Sequence, residues 1–330
     1  MKRSIASLAL GLALLGAVLD VEAQPVAKVH RVALILTTSP PADMAGPEPI
    51  HPGVRAFVQA LRARGYAENR NLVFDRRSAE GVWERADQIV ADLVRLKTDV
   101  IVVANTDFAR RAVKVTRNIP IVVLSGDTLV ADGLARSLAR PGGNVTGFTI
   151  DVEVGTEVKR IELFSGLLPK ARRIAFVGTK EDWTNHWGKA LQSAAPALGV
   201  NLIHVASSKT GYAEAFSAIR RDKPDAFYVA RSVTAYAFRQ AIGEFALSSR
   251  LPSSCGGVEH GCLMSYGLNV NDLFVRGADY VDRILQGTKP GDLPIERPSR
   301  FEFVVNLKTA KALDITIPQS VLLRADRVIE

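Results

Sequence analysis

The side chains that most often perform catalysis are few and scattered in this 330-residue sequence. It contains no His-Glu-x-x-His helix, no Gly-x-Ser-x-Gly turn and no Gly-x-x-x-x-Gly-Lys loop, and no two histidines stand at i, i+4. We therefore expect no catalytic residue, no metal site and no cofactor. A hydrolase or sugar-processing enzyme stays open as an alternative, because fold alone does not fix function. The histidines are His30, His51, His186, His204 and His260.

Other polar side chains suit the binding of a small molecule, because they directly follow apolar, β-branched runs. In open α/β sheets, ligands bind beyond the carboxyl ends of the strands. Arg231 can hold a carboxylate with two parallel hydrogen bonds, and Trp183 can cover an aromatic body. Asp107 or Asp127 can accept an ammonium group. The predicted ligand-binding residues are Thr38, Ser39, Asn105, Thr106, Asp107, Ser125, Asp127, Thr149, Asp151, Trp183, Asn185, Arg231, Ser232 and Glu259.

Each of these residues also has a purely structural alternative. Many precede a predicted helix, so Thr106, Ser125 and Ser232 are also candidates for helix N-caps. The alternative for Arg231 is an exposed charge, and for Trp183 it is a packed loop anchor. The ligand these residues favour is an amino acid or an aromatic carboxylate.

Cys255 and Cys262 are the only cysteines and close the segment CGGVEHGC. In an oxidising compartment they can form a small disulfide. Zinc binding with His260 is the alternative, but three ligands within eight residues match no usual zinc spacing. We expect a structural pair, reduced or bridged.

The elements that must position these side chains alternate between short apolar runs and amphipathic stretches. Such alternation predicts parallel sheets covered by helices on both faces. The pattern restarts near residue 145 and gives two halves of similar size. Strands are predicted at 32–36, 72–74, 99–104, 120–124, 145–150, 173–178, 201–206, 225–230, 251–255, 263–267 and 301–306.

The fold class expected from this pattern is α/β, with two doubly wound parallel-sheet lobes joined by a three-crossover hinge. The late strand–helix unit returns to the first lobe, and the tail then crosses again. Lobe 1 is predicted to comprise 28–147 plus about 266–297, and lobe 2 to comprise 148–265 plus about 298–330. A cleft between the lobes then holds the ligand.

The segment LARPGGNVTG at 138–147 has the glycines of a phosphate loop but the opposite context. A phosphate loop runs from a strand into a helix, whereas this segment is predicted to end a helix at 129–139 and begin a strand at Val145. We interpret the glycines as a helix stop and a turn that feeds the first hinge strand. The sequon at Asn144 is a poor glycosylation site if it lies at a lobe crossing.

The N-terminus predicts export. Lys2 and Arg3 precede an apolar run of about 15 residues, Ile5–Leu19, and Val21-Glu22-Ala23 is typical of a signal-peptidase site. Residues 1–23 are therefore predicted to be a signal peptide cleaved after Ala23. An uncleaved anchor is the alternative, although the run is shorter than the roughly 20 residues that cross a bilayer. The net charge of +8 comes from scattered residues, so we expect no nucleic-acid partner.

The sequence resembles the ABC-transporter substrate-binding proteins of the tryptophan/tyrosine-binding type. The likeness lies in GLARSLARPGGNVTGFT, CLMSYG and RPSRFEFVVNLKTAKAL, and it extends over the whole mature chain. It implies a type I periplasmic binding fold with three crossovers, and a solute-binding role beside a permease and an ATPase. With the predicted signal peptide, we expect a monomer in the periplasm. The segments TKEDWTNHW, NTDF and GGVEH differ from the usual pattern of that family, and the likeness does not name the solute.

Because the cleft would be the same in both cases, a second function stays open. The alternative to an importer component is a periplasmic ligand sensor that docks on a membrane receptor kinase or cyclase. Only the partner distinguishes the two.

Overall fold

A computed structural model describes residues 28–150, 154–208, 210–256, 258–297 and 300–330. The predicted signal peptide therefore lies outside the described residues. Within them, two separate sheets organise the chain, one of five strands and one of seven. No helix of the described ranges is long and apolar enough to cross a bilayer.

The first sheet is wholly parallel, with strand order β2-β1-β3-β4-β5. Its strands are β1 (His30–Leu36), β2 (Leu72–Ser78), β3 (Val100–Asn105), β4 (Ile121–Gly126) and β5 (Val145–Thr149). The helices among them are α1 (Pro41–Met44), α2 (Pro52–Ala63), α3 (Glu84–Arg95) and α4 (Thr106–Val115).

Apolar residues on both faces explain why this sheet needs two helical layers. Val32 and Leu34 of β1 point into a core shared with α2, whereas Ala33 and Ile35 point into a core shared with α3 and α4. A strand buried on both faces reads as a continuous apolar run, as VALIL does here. The first half is therefore a doubly wound α/β unit.

The second sheet has the order β12-β11-β10-β9-β8-β6-β7 and is parallel except for the β10–β11 pair. Its strands are β6 (Arg173–Gly178), β7 (Asn201–Ala206), β8 (Ala226–Val229), β9 (Ser253–Ser254), β10 (Met264–Leu268), β11 (Phe301–Asn306) and β12 (Arg327–Ile329). Its helices are α5 (Val154–Leu167), α6 (Lys180–Thr184), α7 (His186–Ala194), α8 (Ala213–Asp222), α9 (Val233–Ala237), α10 (Arg239–Ser248), α12 (Leu307–Ala312) and α13 (Gln319–Leu322).

Helix α11 (Val270–Leu285) joins the two halves, because it follows β10 of the second sheet but packs on the first. Leu273, Phe274 and Val281 of α11 share the core of α2 and β1. The chain then returns to the second sheet at β11. It therefore passes between the halves three times, between β5 and α5, between β10 and α11, and between α11 and β11, as the predicted fold class requires. The residue bounds of the two lobes stay a proposal.

The segment around LARPGGNVTG differs from its prediction in two ways. Residues 129–139 form turns and bends instead of a helix. Strand Val145–Thr149 pairs with β4, so it completes the first sheet and does not begin the second. The predicted restart was wrong here because an apolar, β-branched run suits either sheet, and local sequence does not say which neighbour it pairs with.

Gly147, the last glycine of this segment, is explained by a tertiary contact. Gly147 has φ of 129°, and a Cβ added there would lie 2.1 Å from the Val123 carbonyl oxygen. Asn144 Nδ2 donates to the carbonyls of Thr116 and Ile119, at 3.2 and 2.8 Å. Close backbone approach, rather than a helix stop, explains the glycine in the strand.

Cys255 and Cys262 form a disulfide, with Cα atoms 6.0 Å apart. The bridge closes the loop that joins β9 to β10 around the short 3₁₀ turn Val258–His260. Asn306 Nδ2 donates to the Val258 carbonyl at 2.7 Å and ties this loop to β11.

Candidate functional site

The carboxyl ends of β3 and β4 bring three predicted residues of the first half together. Thr106 Oγ1 donates to Asp127 Oδ1 at 2.6 Å and accepts from the Asp127 backbone N–H at 3.0 Å. Ser125 Oγ donates to the Ala104 carbonyl at 2.6 Å. Thr106 is buried, whereas Asp127 is exposed and presents its carboxylate at this edge.

The other candidates of the first half are more dispersed. Asn105 caps α4 by accepting from the Phe108 N–H, and Asp107 is exposed and pairs with Arg110. Thr38 and Ser39 lie half-buried just beyond β1. Buried Thr149 ends β5 of the first sheet, although it was assigned to the second half, and Asp151 lies outside the described residues.

Several candidates of the second half cap helices, pack in the core or form ion pairs. Asn185 and Ser232 cap α7 and α9 by accepting backbone N–H groups. Trp183 stacks on His204, with ring centroids 5.2 Å apart, and packs against Phe176 of the second core. Exposed Glu259 pairs with Arg327 at 2.8 Å. Their predicted contacts with a ligand stay predictions.

Arg231, in contrast, belongs to a buried group of charges that the sequence did not reveal. Its Nη2 lies 2.6 Å from Oε1 of Glu157, and Glu157 also accepts from the Tyr228 hydroxyl. Arg160 Nη1 lies 3.6 Å from the other Glu157 oxygen, and its guanidinium lies 4.1 Å over the Tyr228 ring. We call Glu157, Arg160, Tyr228 and Arg231 the charge cluster.

Helix α5 and strands β8 and β9 position the charge cluster. Glu157 and Arg160 stand one turn apart on the same face of α5 as the core residues Ile161 and Phe164. Arg160 donates to Oγ and the carbonyl of Ser254, at 2.9 and 2.8 Å. The core-facing positions of a helix are normally apolar. Two charged residues at such positions of α5 could therefore have indicated the charge cluster from the sequence.

Electrostatics keep Glu157 ionised. Burial alone raises the pKa of a carboxyl group, but the guanidiniums of Arg231 and Arg160, together with the Tyr228 hydroxyl, outweigh it and lower the pKa of Glu157 below its ordinary value. Burial, with the neighbouring carboxylate, raises the pKa of Tyr228 well above its ordinary value. The charge cluster therefore holds two cations and one anion, a net charge of +1.

An aromatic contact joins the two halves beside the strand ends. The rings of His51, before α2, and Tyr236, in α9, have centroids 6.3 Å apart, and His51 also packs 5.7 Å from Phe274. His51 Nδ1 accepts from the Val54 N–H at 3.2 Å. Burial, and then the charge of Arg239, lower the pKa of His51 to about 4. In the sequence, the only sign of this role is that His51 stands directly before Pro52, where a helix N-cap is expected.

Two surface hollows lie away from this site. One, of about 380 Å³, is lined by residues of α2 and β2, including Val58, Leu61 and Phe74. Another, of about 320 Å³, lies between the ends of α8 and α10. Arg62 and Glu68 also line the first hollow, and Arg220 and Lys223 line the second, but no predicted ligand-binding residue lines either of them.

Residues 50–329 match the family model described as ABC transporter substrate binding protein. The chain belongs to this family. It is 26% identical over 265 residues to a tyrosine-binding protein of Clostridioides difficile (strain R20291), which covers 79% of this chain and 76% of the relative. The resemblance stated from the sequence is confirmed.

Solved structures with the same α/β fold superpose on this chain. A conserved domain protein from Vibrio cholerae superposes with a TM-score of 0.75 at 29% identity, covering 91% of this chain and all of the other. An ABC domain in complex with L-Trp from Streptococcus pneumoniae gives 0.74 at 24% identity, covering 92% and 100%. The predicted two-lobe α/β fold of the periplasmic binding type is thereby confirmed.

Proposed function

We propose that the protein is the solute-binding component of an ABC importer and closes its two lobes around a small organic carboxylate, an amino acid or an aromatic acid. The single observation that carries this proposal is the charge cluster. It places Arg231 at the carboxyl end of β8 within a group of residues whose net charge, Arg231 included, is +1. Buried charges need a counter-charge, and a ligand carboxylate supplies one.

The first lobe contributes groups that suit the rest of an amino acid. Asp127 is exposed at the end of β4, where a carboxylate can accept an ammonium group. Tyr236, half-buried beside His51 at the contact between the halves, supplies aromatic surface there, whereas His51 and Phe274 are buried behind it. Ring stacking at such surfaces favours an aromatic side chain.

Relatives support the same class of solute. One is named for tyrosine, and a solved structure of the same fold holds L-Trp. The family implies delivery to a permease and an ATPase, and the predicted signal peptide implies that this happens in the periplasm. We propose a monomer and no nucleic-acid partner.

A thermal-shift screen of amino acids, aromatic acids, sugars and cations tests the proposal. A solute at 100 times its dissociation constant adds about 2.7 kcal/mol of stability, which raises the melting temperature by about 5 °C for domains of this size. We expect an amino acid or an aromatic carboxylate to give this rise.

The matched control compares two arginines. Arg231→Met should abolish the rise, whereas Arg221→Met, at an exposed arginine paired with its neighbour Asp222, should retain it. A rise with sugars or cations alone would contradict the proposed class of solute. Turnover of any bound solute would contradict the binding function itself.

A further inference from the structure

Gly267 of β10 leaves space for the Arg231 guanidinium. A Cβ added to Gly267 would lie 2.5 Å from Arg231 Nη1, and all three of its nearest atoms would belong to Arg231. Cβ contacts below 3.0 Å essentially never occur, so any other residue displaces the guanidinium. Gly267 is not among the glycines with positive φ, so its backbone does not require a glycine. The absent side chain is thus explained by Arg231 alone.

Glu157 holds the opposite edge of the same guanidinium. Its Oε1 lies 2.6 Å from Arg231 Nη2, whereas Nη1 faces Gly267. Glu157 cannot move freely, because its side chain is 2% exposed and is bonded to Tyr228 and paired with Arg160. The Arg231 side chain is 30% exposed, so part of it stays accessible at the strand end.

Three buried atoms of the charge cluster have no hydrogen-bond partner within the described ranges. They are Arg160 Nη1, Arg231 Nε and Glu157 Oε1, of which Oε1 is held by its ion pair with Arg231. A buried donor without an acceptor is unfavourable, and its N–H gains most from an ionised oxygen. Arg160 itself is 1% exposed, so its charge is removed from water. The net charge of +1 and the partly exposed Arg231 side chain therefore suit one more anionic group.

We infer that Glu157 and Gly267 are positioning residues that hold Arg231 for the ligand carboxylate and so make the protein select acids over the corresponding neutral amides. This inference rests on the proposed function and deepens it. A carboxamide has nearly the shape of a carboxylate but no charge. Loss of a charged hydrogen bond at a buried site lowers affinity about 10-fold or more.

Isothermal titration with three pairs of probes measures this selectivity. The pairs are L-tyrosine and L-tyrosinamide, L-tryptophan and L-tryptophanamide, and benzoate and benzamide. For each pair the readout is the Kd of the amide divided by the Kd of the acid. We expect this ratio to exceed about 10 in the unmodified protein for at least one pair.

Gly267→Ala is the decisive variant, because its methyl group meets only the end of a flexible side chain and should leave the fold intact. The ratio should fall about 10-fold. Gly155→Ala is the matched control, since Gly155 lies two residues from Glu157 and an added Cβ there meets nothing within 4 Å. It should keep the ratio. Unchanged melting temperatures of the ligand-free variants exclude general damage.

Glu157→Gln tests the second positioning residue. If Glu157 positions Arg231, the ratio falls; if the ratio rises, Glu157 is only a counter-charge and its positioning role is overturned. An unchanged ratio in Gly267→Ala overturns the role of Gly267.

The titrations of the unmodified protein distinguish failure of this inference from failure of the proposed function. Equal binding of acids and amides overturns the inference and leaves solute binding intact. If neither these probes nor any screened solute binds, both the inference and the proposed function are overturned.

Discussion

Substitution of His51 should remove a defined part of the pH dependence of stability. The imidazole is 6% exposed, and its Nδ1 accepts the Val54 N–H, so the folded protein holds it neutral. Burial and the charge of Arg239 lower its pKa from the ordinary 6.5 to about 4, although Asp43 opposes them. Protonation would put a hydrogen on Nδ1 and break the cap.

The sign and size of the effect follow from linkage. Because the pKa is lower in the folded state, the unfolded chain binds the proton more readily between pH 6.5 and pH 4. The stabilisation is therefore complete above pH 6.5 and is lost as the pH falls toward 4. The difference of 2.5 pKa units, at 1.36 kcal/mol each, amounts to about 3 kcal/mol, of which about 2 kcal/mol is lost between pH 7 and pH 5.

Urea unfolding at pH 7 and at pH 5 measures this loss. His51→Asn keeps an N-cap side chain but cannot take up a proton, and its loss of ring packing is the same at both pH values. The native protein should therefore lose about 2 kcal/mol more between the two pH values than His51→Asn does. His186→Asn, at an exposed histidine, controls for the change of residue type. Equal losses in the native protein and His51→Asn would refute the reasoning.

Three further substitutions probe the fold by urea unfolding at pH 7. Arg160→Met should cost about 3–5 kcal/mol, because it breaks a buried ion pair from one side; a cost below about 1 kcal/mol would contradict the buried pairing. Replacing both Cys255 and Cys262 with Ala should cost about 2.5 kcal/mol, the loop-closure entropy of this short bridge, and reduction of the native protein should cost the same. Gly147→Ala should cost about 2 kcal/mol or more, because its methyl group would collide with the Val123 carbonyl; an unchanged midpoint would show that β5 is placed elsewhere.

Predictions from the sequence succeeded where burial leaves a local pattern. VALIL and RIAFVG are strands with both faces buried, and the stretch after Asn269 is the amphipathic helix α11. The helix predicted at 129–139 was wrong, because Leu129, Ala135 and Leu138 reach one core of the first sheet from turns and bends. The partner of strand Val145–Thr149 was equally beyond a local pattern.

The candidate site shows the same division. Its position at the strand ends follows from the alternation of strands and helices, and Arg231 was a candidate because it follows a buried run. The companions of Arg231 were not foreseen. Glu157 stands 74 residues before it and Gly267 stands 36 residues after it, so no local window contains the three residues.

The sequence by itself thus determined the α/β architecture, the edge of the sheets where polar groups collect and, through the resemblance of its motifs, the family. The first two depend on the periodicity of neighbouring residues, which reports whether a face is buried. Only the tertiary structure decided which charges pair, that a glycine makes room for a guanidinium, and that His51 meets Tyr236 across the lobes. These contacts depend on distances between residues far apart in the chain, and folding alone brings such residues together.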